Sequence, residues 1–303
     1  MKDQSEELFE SARVKIDPNL DLDCVVGQSE AVEKLRELVR QLKHPEIYAT
    51  WGLGKPKAIA LVGPAGTGKT HALRALANEV ETPLVELKYE DFASHLYDDT
   101  IQRLSKFKEY TEALSNEFGH VLIFVDEAEV LFHSRFDTNV HSSDSKKTNF
   151  FLRWIDGDLE GSSNFTFLAA SNAWEIVDPA MRRSGRFVKI EFKALSPRDI
   201  LECIRVHLGL LSKKLNRVVV DFELSELDKL ERDLPENITG ADVKEILNRV
   251  VTKKANTLLD RLKEGLSVED LVGEVDLITK EDLRLVLIDF KGGEKSKQRG
   301  IGF

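Results

Sequence analysis

Gly63-Pro64-Ala65-Gly66-Thr67-Gly68-Lys69-Thr70 follows the apolar run Ala58-Ile59-Ala60-Leu61-Val62 and opens a helical stretch at residues 71–80. A strand running into G-x-x-x-x-G-K-[ST] and then a helix reads as a phosphate-cradling loop. Its glycines let backbone N–H groups turn inward around phosphate oxygens, and the helix N-terminus adds partial positive charge. In this pattern Lys69 reaches the β- and γ-phosphates of a nucleoside triphosphate, and the Thr70 hydroxyl ligates Mg²⁺. Pro64, Ala65, Gly66, Thr67 and Gly68 form the cradle, and His71 carries it into the helix.

Outward from this loop, apolar runs at residues 84–87, 121–125, 165–170 and 187–192 read as further strands. They alternate with helical patterns at residues 29–42, 71–80 and 99–118. Such alternation implies an α/β P-loop NTPase fold, a parallel sheet flanked by helices on both faces. Ligands of such sheets sit beyond the carboxyl ends of the strands. After Ser196-Pro197, a good N-cap and first-turn pair, the pattern becomes helical at residues 197–211, 224–234, 239–262 and 279–290. An edge strand at residues 218–220 is the one further β candidate. The expected organisation is a frayed extension (residues 1–19), an α/β nucleotide-binding domain (20–194), a small all-α lid domain (195–290) and a tail of flexible-linker composition (291–303).

A chain of 303 residues with 42% hydrophobic and 32% charged residues has the composition of a soluble globular protein with a sizeable core. The formal charge of −10 argues against a nucleic-acid surface as its main business. Cys24 and Cys203 lie far apart and form no Cys-x-x-Cys, so they read as reduced thiols. The acidic start lacks an apolar signal core, and no apolar run is long enough to span a bilayer. The expectation is a cytoplasmic protein with no direct membrane insertion.

Two more strand ends carry polar residues suited to the same chemistry. Val121-Leu122-Ile123-Phe124-Val125 ends in Asp126-Glu127. Asp126 is placed to hold the Mg²⁺ shell, and Glu127 to polarise an attacking water as general base. The run at residues 165–170 leads to Ser171-Asn172, where Asn172 can touch the γ-phosphate or the lytic water. Then comes Asp178-Pro179-Ala180-Met181-Arg182-Arg183-Ser184-Gly185-Arg186-Phe187.

This succession resembles the AAA family of ATPases over residues 21–290: the phosphate loop, a strand ending Asp-Glu, a sensor Asn, and Asp-Pro-Ala followed by Arg-x-Gly-Arg-Phe. Gly240-Ala241-Asp242 resembles the sensor-2 turn of the subgroup that carries Gly-Ala there. The resemblance implies ATP and Mg²⁺ as ligands and ATP hydrolysis as the reaction. It implies that Asp23-Cys24-Val25-Val26-Gly27-Gln28 lays its backbone, at Val26 and Gly27, against adenine, although Cys24 stands where an acid is usual. It implies nucleotide contacts from His207, Gly240 and Ala241.

Arg183 and Arg186 would act in trans, on ATP bound by a neighbouring copy, which implies a ring homo-oligomer, a hexamer by family habit. An arginine finger neutralises charge on the transferred phosphoryl, worth about 10³–10⁵ in rate. Leu96 and Tyr97 fall where the family's pore loop grips a polypeptide, with Asp98 in place of the usual Gly. Residues 132–147 would form a second pore loop. The absence of His-Glu-x-x-His sets the sequence apart from family members fused to a metalloprotease. Ile301-Gly302-Phe303 resembles the docking loops by which some unfoldases hold a protease ring, and makes a docking partner an expectation. The function implied is a motor that remodels or unfolds protein substrates. The alternatives are a nucleotide-switched assembly scaffold and, less suited to the charge, a nucleic-acid-associated ATPase.

Overall fold

Apolar runs at Ala58–Val62 (β1), Leu84–Glu86 (β2), Val121–Val125 (β3), Phe165–Ser171 (β4) and Val188–Glu191 (β5) form one sheet in a computed structural model. The structure describes residues 12–88, 97–132, 142–157, 164–183, 185–235, 237–262 and 277–299. The strand order is β2-β3-β4-β1-β5, and every neighbouring pair is parallel.

The period-2 geometry of a strand divides its side chains between two cores. Ala58, Ala60, Val121, Ile123, Val125, Phe165 and Phe167 face one cluster. Ile59, Leu61, Leu122, Phe124, Leu168 and Ile190 face the other. Burial on both faces explains why β3 and β4 read as continuous apolar runs.

Helices cover the two faces. Helix α1 (Ser29–Lys43) turns Ala31, Val32, Leu35, Leu38, Val39 and Leu42 inward at helical spacing. Next comes the short α2 (Pro45–Ala49), and then α3 (Lys69–Val80), which buries Ala72, Leu73 and Leu76 in the same cluster as α1. On the opposite face α4 (Tyr97–Phe118) supplies Leu104, Phe107 and Leu114, and α6 (Ser142–Asp156) supplies Phe151 and Trp154. Between these two in sequence lies the single turn α5 (Ala128–Leu131). Trp154 is wholly buried and meets Phe167 edge-on at 5.0 Å between ring centroids. Truncating such a ring costs about 3–5 kcal/mol.

The chain divides into two compact units, Met1–Lys193 and Ala194–Phe303. The second contains α7 (Pro197–Leu215), a 3₁₀ helix (Leu224–Asp233), α8 (Gly240–Leu262) and α9 (Lys280–Arg299). Their core includes Ile200, Ile204, Leu227, Leu230, Ile246, Val250 and Leu287. Ser196 and Asp199 close a reciprocal capping box on α7, with Pro197 in its first turn.

Four details differ from the sequence expectations. Residues 12–14 are not frayed: Arg13 bridges Val85 antiparallel, the Val14 N–H donates to Leu84 O and the Glu86 N–H to Ala12 O. The edge expected at residues 218–220 is a single bridge, Val220 to Ile278. Leu224–Asp233 is 3₁₀ instead of α-helical, with Leu227 and Leu230 buried one 3₁₀ turn apart. Helix α9 continues to Arg299, through the Gly-Gly that suggested a linker from residue 291.

Candidate functional site

The carboxyl ends of three neighbouring strands carry the candidate chemistry. β4 lies between β1 and β3, with Val62 level with Ser171 and Val125 level with Ala169. Residues leaving these strands are therefore neighbours: Gly63 after β1, Asp126 after β3 and Asn172 after β4. The loop after β1 turns on glycines that no other residue replaces without strain. A Cβ at Gly63 would meet the Phe192 carbonyl oxygen at 2.1 Å, and Gly66 and Gly68 have φ of 72° and 93°. Gly68 leads directly into α3, so the loop delivers the chain to a helix N-terminus.

Lys69 is 7% exposed. Its ammonium donates to Gly63 O at 2.8 Å, Pro64 O at 2.7 Å and Asn172 Oδ1 at 2.8 Å. These use all three of its hydrogens. Burial lowers the Lys69 pKa, and the carboxylates of Asp126 and Glu129 work against that fall. Asp126 bridges two elements: its Oδ2 accepts the Thr70 hydroxyl at 3.2 Å and its Oδ1 accepts the Glu127 N–H at 3.0 Å. Glu127 is exposed and sits in the left-handed region at φ 48°, ψ 52°, capping α5. A non-glycine residue held there carries backbone strain of a kind concentrated at functional sites. A cavity of about 370 Å³ opens beside it, lined by Glu86, Leu87, Lys88, Asp126, Glu127 and Val130, among others.

Thr70, Asp126, Lys69 and Asn172 are thus brought together as the sequence pattern required, with Glu127 beside them. The donor set fits the ligands. Thr70 and Asp126 present adjacent hard oxygen donors of the kind Mg²⁺ takes. The glycine loop and the start of α3 suit phosphate. Upstream, Val26 is half-buried and Gly27 has φ 71°. Next to them the buried Gln28 amide exchanges two hydrogen bonds with the Lys193 backbone, at 2.7 and 2.9 Å. His71 is half-buried in the first turn of α3.

Two residues that matter here escaped the sequence reading. Glu129, in α5, accepts the Asn172 N–H through Oε1 at 3.2 Å. Its one signal was a third acid in Asp126-Glu127-Ala128-Glu129. Asp156, at the end of α6, forks onto Arg186, receiving Nε at 2.9 Å and Nη2 at 2.7 Å. Arg186 holds the Asp156 carboxyl below its usual pKa, and the third arm of Arg186, Nη1, donates to Ala180 O. Nothing local in sequence joins positions 156 and 186. Arg183 is exposed and has no side-chain partner among the described residues. The segment carrying both arginines is anchored by the buried Asp178, whose N–H donates to Phe132 O at 2.8 Å and whose Oδ1 accepts the Ala180 N–H at 2.8 Å. The Trp174–Phe187 ring contact, 5.4 Å between centroids, adds a second anchor.

In the second unit, His207 is half-buried on α7, its pKa lowered by burial and by the Lys244 charge. Gly240 and Ala241 are the first residues of α8, in a turn where Thr239 Oγ1 accepts the Asp242 N–H at 3.4 Å and Asp242 Oδ2 accepts the Thr239 N–H at 2.8 Å. Leu96, the side chain of Tyr97, most of the loop at residues 132–147, and residues 301–303 lie outside the described residues. Among the described residues Cys24 and Cys203 form no disulfide, and burial pushes the Cys203 thiol up to about 12. Among the described residues, no helix is long and apolar enough to cross a membrane.

A parallel sheet of this order, with a glycine loop gripping its own lysine and an Asp-Glu strand tip beside it, defines a P-loop nucleoside triphosphatase. Residues 59–195 match the family described as "ATPase family associated with various cellular activities (AAA)", so that segment of the chain is an AAA domain. It is similar to "Protein SAV" of Sulfolobus acidocaldarius, 28% identical over 287 residues, covering 94% of this chain and 34% of that protein. It is 27% identical over 275 residues to the proteasome-activating nucleotidase of Thermococcus onnurineus, covering 88% and 64%. It is 32% identical over 237 residues to the ATP-dependent zinc metalloprotease FtsH of Helicobacter pylori, covering 76% and 35%. The chain therefore spans between about a third and two thirds of these relatives' lengths.

Proposed function

We propose that this chain is an ATP-hydrolysing AAA motor that assembles head to tail into a ring, a hexamer by family resemblance, and remodels or unfolds protein substrates or complexes. One observation supports the reading: the phosphate loop and Arg186 lie at opposite ends of one sheet. The β1–β5 register sets Ile59 level with Val188, so Arg186, two residues before Val188, lies at the end where β1 begins, near Lys57. Lys57 Nζ indeed donates to the backbone carbonyl of Asp156, the residue whose carboxylate holds Arg186. Gly63 follows the last residue of β1, about 20 Å away at the usual rise per residue. An arginine side chain does not cover that distance. If Arg183 and Arg186 meet a phosphate, it is one bound by another copy, and a repeated head-to-tail contact closes into a ring.

Within one copy the roles follow from the contacts. Lys69 exchanges neutral carbonyl and amide partners for phosphate oxygens, whose charge makes the stronger hydrogen bond. Thr70 and Asp126 would hold Mg²⁺, which when bound offsets phosphate charge. Glu127 takes a proton from the water that attacks the γ-phosphorus as the bond to ADP breaks, and Asn172 orients that water. The exposed Arg183 is the better-placed finger for a neighbour, and the tethered Arg186 follows it. Relatives named as a proteasome-activating nucleotidase and an ATP-dependent protease support a polypeptide as the load. Leu96 and Tyr97 remain the proposed grip, and residues 301–303 the proposed docking tail. His207, Gly240 and Ala241 remain proposed nucleotide contacts, and a His207→Ala variant with unchanged nucleotide affinity removes the first of them.

The test is ATP turnover per chain against protein concentration. A composite site requires turnover to rise steeply as copies assemble, and to rise further with an unfolded polypeptide. Turnover per chain that is flat down to concentrations where the protein sediments as a monomer rules out the ring reading.

A further inference from the structure

The Asp-Glu tip contains a third acid with no part in the chemistry above. Glu129 lies two residues beyond Glu127, which turns the chain through left-handed φ. One carboxylate oxygen accepts the backbone N–H of Asn172, and the Asn172 side chain accepts from Lys69. The other oxygen, Oε2, is shut off from solvent and has no hydrogen-bond partner among the described residues. A carboxylate half-satisfied in a closed place is expensive, and a neutral side chain would fill the same volume more cheaply. Its geometry is useful for one purpose: it ties the exit of β4 to the turn that carries Glu127.

We propose that Glu129 is a positioning residue of the phosphate site. Its carboxylate fixes the backbone at Asn172, and Asn172 in turn holds the Lys69 ammonium. The base-bearing turn after β3, the sensor at the end of β4 and the lysine of the loop after β1 are thereby one connected unit. The negative charge of Glu129 near the buried Lys69 acts in the same direction. The role in turnover rests on the ATPase reading above, whereas the hydrogen bond it depends on can be tested without it.

Two measurements separate these. Amide hydrogen exchange at Asn172, without nucleotide, reads the tether directly. Glu129→Ala should speed that exchange about tenfold or more, and Glu129→Gln, which keeps an acceptor oxygen, should restore most of the protection. In turnover, Glu129→Ala should lower kcat about tenfold while KM for ATP changes less than about threefold, a split that general loosening of the fold would not give. Adding Glu129→Ala to Asn172→Ala should cost less than about a further twofold, because Glu129 acts on turnover by way of the Asn172 side chain. Glu129→Asp, which keeps the charge but shortens the reach, is the second variant should the alanine protein not fold, and the same direction is expected. Unchanged Asn172 exchange in both variants, or independent and multiplying effects of positions 129 and 172, overturns the proposal. A wild-type chain without ATP turnover would sink the ATPase reading, yet the exchange experiment would still decide whether Glu129 holds Asn172.

Discussion

The two ends of the sheet are built from similar residues put to opposite uses. At the carboxyl end, Lys69 spends its hydrogens on two carbonyls and an amide, all neutral acceptors that a phosphate displaces. At the amino end, Arg186 is forked onto a carboxylate, and His120 is locked in a buried chain of hydrogen bonds. The Thr166 hydroxyl donates its one hydrogen to Pro56 O at 2.6 Å, so His120 Nε2 donates to Thr166 Oγ1 at 3.1 Å, and Nδ1 accepts from Lys55 Nζ at 3.4 Å. Burial, with the nearby Lys55 charge, lowers the His120 pKa to about 3, so the ring is neutral. The lesson lies in the partner: an ammonium held by neutral groups is poised to exchange, whereas a guanidinium forked onto a carboxylate is held in place and an imidazole held neutral acts as a support.

The largest effect that can break this contrast falls at the carboxyl end. Glu127→Gln should lower kcat about 10²–10⁴-fold, the range for loss of a general base, with nucleotide affinity within a few-fold. Single-turnover ATPase and binding of a fluorescent nucleotide check both halves, and near-normal turnover would remove Glu127 as base. Next is Gly63→Ala, whose methyl group would meet the Phe192 carbonyl. It should destabilise the fold by about 2–3 kcal/mol in urea unfolding and lose nucleotide binding as well, since the backbone must shift. A variant as stable as the parent would show that the loop is less constrained than described.

Much of the carboxyl end was legible in the sequence. The strands are buried on both faces and so read as unbroken apolar runs, and the polar residue closing each run marks a strand tip. Gly63, Lys69, Thr70, Asp126 and Asn172 could be named because parallel strands set their ends side by side. Glu129 could not be given a role, because its partner Asn172 is distant in sequence and reached through the strained turn at Glu127. The amino end was nearly silent. His120, Thr166, Lys55 and Asp156 sit in no motif, and only the strand register brings them together. The 3₁₀ segment at Leu224–Asp233 was misread because leucines at every third position also fit one face of a short α-helix.

Two smaller effects sharpen the description of the amino end. Asp156→Ala should destabilise the fold by about 1–2 kcal/mol, since the fork is charge-assisted but partly exposed, with side chains 21% and 34% accessible for Arg186 and Asp156. An unchanged unfolding midpoint would make the fork incidental. For His120 the folded pKa lies below its unfolded value of 6.5, so the unfolded chain binds the extra proton. Its contribution is therefore present above about pH 6.5 and is lost as the pH falls from there towards about 3, at up to about 1.4 kcal/mol per pH unit. His120→Gln should flatten the decline between pH 6.5 and 4.5 by about that slope, and parallel pH curves for the two proteins would contradict it.

The central claim is that phosphate-binding and arginine halves work only across copies. It is tested most directly by mixing two inactive proteins, Lys69→Ala, which lacks a working phosphate site, and Arg183→Ala, which lacks the exposed finger. Each alone should be close to inactive, and mixtures should regain ATP turnover with a maximum at intermediate ratios, as intact sites receive intact fingers from neighbours. No recovery at any ratio, with both proteins folded and assembled together, would contradict the account.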